Sequence, residues 1–179
     1  MTEHPEFSRI VDRAALATLP IDRTIEAGEA EREALGRRFG LLELPALAAE
    51  VTLSAAAGGQ VRLDGRLRAR VVQACVVTLE PVAAEIDESF TLFYAEAAAP
   101  AGQSVDLPID DEAWPEPMVD GAIDIGEAVA QQLAVALDPY PRAPGATLDG
   151  RYGAAEEAAP ARANPFADLA RKRGSKPLH

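Results

Sequence analysis

Four arginines of one parity, Arg62, Arg66, Arg68 and Arg70, are the feature of this 179-residue sequence with the clearest chemical potential. In an extended strand, residues two apart lie on one face about 6.8 Å from each other, twice the rise per residue. Guanidinium groups at that spacing can each engage a phosphate of a folded RNA. The same row also fits the wet face of an antiparallel sheet, paired with acids on neighbouring strands such as Asp87 or Glu88. Spacing alone leaves both readings open. A second basic cluster, Arg171, Lys172, Arg173 and Lys176, lies near the C-terminus. It reads either as a mobile basic contact or as a solubilising tail.

Other chemistries find little support. Cys75 is the single cysteine, so no internal disulfide forms, and its apolar surroundings predict a buried, inert thiol in a reducing compartment. His4 and His179 sit near opposite ends, which leaves no His/Cys set with zinc spacing and makes a general base improbable. Asp110-Asp111 and Asp120/Asp124 pair carboxylates as glycosidases do, but without the aromatic lining of a sugar cleft they read as solvated charge. Gly58-Gly59-Gln60 lacks the Lys-Ser/Thr of a phosphate loop, and no G-x-G-x-x-G is present. The expectation is a protein with no catalytic residues, no metal and no cofactor. Acids at Glu3, Glu6, Asp12 and Asp22 break any leader-like run, and nowhere do the ~18 consecutive apolar residues of a membrane span occur. A cytoplasmic location without membrane contact follows as the expectation.

Charge is distributed unevenly. The net charge is −12, opposite in sign to that of most free-standing nucleic-acid binders, so contact with a polyanion must be local. Residues 1–79 are close to neutral, residues 80–157 carry a net −15, and residues 158–179 carry a net +4. Such polarity suits two kinds of partner.

The elements that must position these groups are legible from pattern. Phe7, Ile10 and Val11 suggest an edge strand or docking segment, and Thr24–Ala27 another short strand. Residues 29–39 are rich in helix formers, with Glu33 spaced to pair with Arg37 and Gly40 placed to end the helix. Leu47, Ala49, Val51, Leu53 and Ala55 alternate with polar or small residues, and Gly58-Gly59 supplies the next turn. Val61, Leu63, Leu67, Ala69 and Val71 alternate with the arginines, and the strand is expected to continue through Cys75-Val76-Val77. Ile86, Phe90, Leu92 and Tyr94 alternate in turn with Asp87, Ser89 and Thr91. Asp124 caps a helix over about 124–138 that Pro139 and Pro141 stop.

The predicted fold class is α+β: an antiparallel β-meander, able to curl toward a barrel at Gly58-Gly59 and Gly65, with two main helices packed on it and a short C-terminal helix. Residues 1–141 form the domain, with an acidic loop at 97–117. A flexible linker spans 142–163, and a basic tail with the short helix at Asn164-Pro165-Phe166 spans 164–179.

Three stretches together resemble the YceD family, the large ribosomal RNA subunit accumulation proteins. They are Gln73-Ala74-Cys75-Val76-Val77-Thr78-Leu79-Glu80-Pro81-Val82, then Ala122-Ile123-Asp124-Ile125-Gly126-Glu127 continuing to Leu137-Asp138-Pro139-Tyr140-Pro141, and finally Asn164-Pro165-Phe166-Ala167-Asp168-Leu169. The resemblance runs over residues 7 to 173. Where many relatives have C-x-x-C, this chain has Cys75 and Thr78, so no metal or redox role carries over to that pair, and Thr78 is expected to extend the strand. The resemblance implies a bacterial cytoplasmic, non-enzymatic factor for 23S rRNA accumulation and large-subunit assembly. Two mechanisms fit: the arginine face and tail bind rRNA, or the acidic half escorts a basic large-subunit ribosomal protein.

Overall fold

The alternation of aliphatic and charged side chains between Val61 and Ala74 produces the central strand of the domain. In the computed structural model, which describes residues 5–96 and 115–147, this strand is β4. It follows β1 (Ile10–Val11), the single turn α1 (Arg13–Leu16), β2 (Ile21–Glu26), α2 (Glu29–Phe39) and β3 (Glu43–Ala55). After it come β5 (Pro81–Glu96), β6 (Glu116–Met118), β7 (Ile123–Asp124) and α3 (Ile125–Ala136). The main sheet has the order β2-β3-β4-β5-β6, antiparallel throughout except for the last pair, in which β6 runs parallel to the end of β5. β1 and β7 form a separate two-stranded ribbon. The fold is α+β, and the meander is that of β2 to β5.

One face of this sheet is the core. Leu47 and Leu53 on β3 and Leu63, Leu67 and Val71 on β4 are almost wholly excluded from solvent. Above them lie Leu35 of α2, Val129 and Leu133 of α3, and Phe7. Each such side chain contributes roughly 1.5–3 kcal/mol by leaving water, so the pattern that buries them also fixes the strand register.

Local chemistry sets the helix ends. Gly28 precedes α2 with its N–H donated to the Glu31 carboxylate at 2.7 Å, and Gly40 closes it in the left-handed region at φ 65°. The expected Glu33–Arg37 pair does not form among the described residues. Arg38 instead makes a two-pronged contact with Glu127 of α3 at 2.7 and 2.8 Å and reaches Glu6 at 2.9 Å. Asp124 caps α3 by accepting N–H groups from Gly126 and Glu127, and it also accepts from the Arg9 N–H at 2.7 Å and the Ser8 hydroxyl at 2.6 Å. The cap therefore pins the N-terminal segment to the helix as well as ending it. A Cβ at Gly126 would meet the Phe7 carbonyl and the Arg9 nitrogen, so this close approach requires glycine.

Four expectations need correction. The sheet does not close into a barrel: β2 and β6 stand at opposite edges with no hydrogen bonds between them. Gly65 is no bend. It pairs in unbroken register with Val51 and Phe90, and its missing Cβ is the space in which the Phe90 ring lies. β4 stops at Ala74, and residues 75–78 turn, because Cys75 N–H donates to the Glu80 carbonyl and Leu79 N–H returns to the Cys75 carbonyl. Thr78 therefore extends no strand. Within the expected acidic loop, Glu116–Met118 is a strand held by Tyr94, Ala95 and Glu96.

The described residues up to Pro144 make up one compact unit. Most of the 97–117 loop, the 142–163 linker from residue 148 onward and the entire 164–179 tail with its short helix lie outside the described residues. No helix among the described residues is long and apolar enough to cross a membrane.

Two glycines test this packing. Gly65→Ala is expected to destabilise the domain by about 1–3 kcal/mol through collision with Phe90. At Gly36, mid-helix with open space where a Cβ would stand, alanine is expected to stabilise it by about 0.5–1 kcal/mol. Urea unfolding midpoints of the two variants should move in opposite directions.

Candidate nucleic-acid interface

Because Leu63, Leu67, Ala69 and Val71 of β4 point inward, Arg62, Arg66, Arg68 and Arg70 all emerge on the opposite, solvent face. All four are exposed, and the side chains of Arg66 and Arg68 each retain 52% of their accessible surface. They are neither buried nor scattered over different surfaces.

They do not stand alone. The register places Glu50 beside Arg66, Ala48 and Asp87 on either side of Arg68, and Ala46 and Glu85 on either side of Arg70. Arg66 forks onto Asp87 through Nε at 2.6 Å and a terminal nitrogen at 2.7 Å. Arg68 reaches Glu50 at 3.3 Å and comes within 3.8 Å of Asp87. Arg62 bends back along its own strand to Asp64, which also accepts the Thr91 hydroxyl at 2.7 Å. Arg70 makes no ion pair among the described residues. The partner on β5 is Asp87, whereas Glu88 lies opposite Leu67 and therefore on the other face.

These contacts shift the groups in opposite senses. The hydrogen bond from Arg66 holds the Asp87 carboxyl below its ordinary range, and the same bond raises Arg66. Burial pushes Asp64 up, but hydrogen bonds from Arg62 and Thr91 outweigh it and leave that carboxyl lowered. Asp22, Glu26, Glu50, Asp64, Glu85 and Asp87 share the face with the four arginines. The surface is thus a lattice of alternating charge with a small acidic excess. Between β2 and β5 it sinks into a depression of about 690 Å³ bordered by Thr24, Glu50, Asp64, Arg66 and Ser89. Exposed ion pairs add little to folding, so the guanidiniums remain exchangeable toward another anion.

Arg171, Lys172, Arg173 and Lys176 lie outside the described residues, as do His4 and His179. No group of three or more His, Cys, Asp or Glu side chains placed to share a metal ion occurs among the described residues.

Pattern did not reveal the setting of Cys75. The side chain is fully buried, as expected, yet its sulfur accepts N–H groups from Ala143 at 3.3 Å and from Val77 and Thr78 at 3.4 Å each. The Ala143 N–H, followed by the contacts of Thr78 and Val77, brings the thiol down to about 6 against the opposing effect of burial. The Val76 N–H meanwhile donates to the Pro141 carbonyl. The β4–β5 turn is thereby tied to the segment that follows α3, across 68 residues of sequence.

The sequence profile described as Large ribosomal RNA subunit accumulation protein YceD matches residues 63–171. The chain belongs to the YceD family. The match begins inside β4, so it includes Arg66, Arg68 and Arg70, the β4–β5 turn, β5 to β7 and α3. No curated protein and no solved structure matches. Membership supports a role for this YceD protein in accumulation of large-subunit rRNA.

A thiol whose folded value is lowered adds stability that is fully present above its unfolded value and fades as pH falls through the folded one. The stability gap between the wild type and Cys75→Ala is therefore expected to widen as pH rises from about 6 to about 8.5, the unperturbed thiol value. Urea titrations across that window measure it, and a pH-independent gap would show a thiol that stays protonated.

Proposed function

We propose that this protein is a non-enzymatic, cytoplasmic ribosome biogenesis factor that holds 23S rRNA or its precursor on the outer face of β4. Arg62, Arg66, Arg68 and Arg70 are the phosphate contacts, and Arg171, Lys172, Arg173 and Lys176 of the tail add a second, sequence-tolerant one. The observation that carries the reading is the exposure of all four strand arginines on one face of the sheet.

Binding on such a face is an exchange. A phosphate approaching Arg66 displaces Asp87, one approaching Arg68 displaces Glu50, and one approaching Arg70 displaces no partner seen among the described residues. Affinity is then the difference between two charge-assisted contacts instead of the full value of one. The acidic neighbours and the net charge of −12 hold down adhesion to arbitrary polyanions. An RNA that presents several phosphates at the strand's spacing overcomes this through the number of contacts made together.

A second reading is favoured by the acidic excess on the same face and the net −15 of residues 80–157. In it the protein escorts a basic large-subunit ribosomal protein. Co-purification of such a protein after nuclease treatment supports this reading, and its absence counts against it.

Gel shifts with 23S fragments test the first reading. Arg66→Glu/Arg68→Glu/Arg70→Glu is expected to weaken binding by about tenfold or more and to reduce the log-log salt slope by roughly 2–3. Glu50→Gln/Asp87→Asn, which releases Arg66 and Arg68, is expected to tighten binding by about two- to tenfold and to steepen that slope. Undiminished affinity of the triple variant removes the arginine face from the interface.

A further inference from the structure

β5 is sixteen residues long, but β6 covers only Tyr94, Ala95 and Glu96. From Pro81 to Phe93 its outer edge has no strand beside it among the described residues. Long regular edges are templates for added strands, and proteins blunt them with bulges, prolines, brevity or charged side chains, inward-pointing ones included. The charges along the open stretch of β5, Glu85, Asp87 and Glu88, are all acidic, which opposes an acidic strand and admits a basic one. The opposite edge, β2, has only six residues. β5 pairs with β4 through fourteen consecutive positions without a bulge, contains no lysine, and has its one proline at the start.

We infer that the open edge of β5 takes an extended, basic segment of a protein partner as an added strand, with basic and apolar side chains alternating along it. Two features of β5 define that occupant. On the outer face Glu85 and Asp87 flank the edge, and on the inner face Glu88 does; neither Glu85 nor Glu88 has an ion-pair partner among the described residues. Also on the inner face, Ile86, Phe90 and Leu92 are only partly covered. An added strand places every second side chain on each face. Its basic residues then meet Glu85, while Asp87 stays with Arg66, and its apolar residues complete the cover over Ile86, Phe90 and Leu92. A second copy of this chain fits poorly, since it would bring like acidic strands side by side.

The inference rests on the escort reading and locates it along the open edge of the sheet, beside the arginine row. The test uses the full chain with a synthetic peptide in which lysine alternates with valine and threonine, and two forms of it N-methylated at every second amide, one for each parity. The unmodified peptide is expected to bind, slowing hydrogen exchange of alternate amides between Ile86 and Phe93. N-methylation on the parity that faces β5 should weaken it by roughly 10–100-fold, as the loss of several backbone hydrogen bonds requires. Methylation on the other parity should leave affinity within about twofold, since those amides donate to no strand. Glu85→Lys/Glu88→Lys, both on exposed positions, should weaken the unmodified peptide by about tenfold or more at low salt.

Equal affinity of all three peptides, with no exchange protection along β5, overturns the edge as the site while leaving a purely electrostatic escort standing. Absence of binding by any of them overturns both. Protection of the same amides by concentration-dependent dimerisation, without peptide, overturns the choice of occupant.

Discussion

Everything about the outer face depends on the two-residue alternation of β4. Its aliphatic side chains fill the interior between the sheet and helices α2 and α3, and they leave the arginines no direction but outward. A slip of one residue against β3 would bury four guanidinium groups and expose Leu63, Leu67 and Val71, at a cost far beyond what any surface contact returns. The register is therefore held by the core, and the spacing of the arginines is a by-product of hydrophobic packing. The proposed RNA contact thus rests on a strand whose register the core fixes.

What that row meets is a set of carboxylates placed by the same register. β3 supplies Glu50, β4 itself supplies Asp64, and β5 supplies Asp87. A face built this way is poorly matched to unselective electrostatic binding, because a phosphate at Arg62, Arg66 or Arg68 must outcompete a partner already in position. It is better matched to a folded RNA that offers several phosphates at once. In a chain of net charge −12, this is the local route that the proposed contact with a polyanion would take.

Periodicity carried much of the architecture. The helix over 29–39 and the cap at Asp124 have the bounds their residue types imply, and β3 and β4 follow their alternation. Departures have local causes. β5 runs beyond its alternating stretch at both ends, since Pro81 to Glu85 at an open edge need no apolar pattern. The run Cys75-Val76-Val77 hides a turn, because N–H donation to sulfur leaves no trace in hydropathy. β6 sits among prolines and acids and exists through a pairing with Tyr94 to Glu96, which no local signal reports. At the site, the arginine row was legible in full. The choice of Asp87 over Glu88 was legible too, since Asp87 shares the parity of Ser89 and Thr91 and Glu88 that of Phe90. The reach of Arg68 to Glu50 depends on the β3–β4 register and needed the fold.

Crosslinking in living cells examines the central claim most directly. A photoreactive amino acid at Ala48, which faces Arg68 across the β3–β4 pair on the outer face, is compared with one at Val135, exposed on α3. The account predicts 23S adducts from position 48 and few or none from position 135. Adducts confined to position 135, or no RNA at position 48, would contradict it.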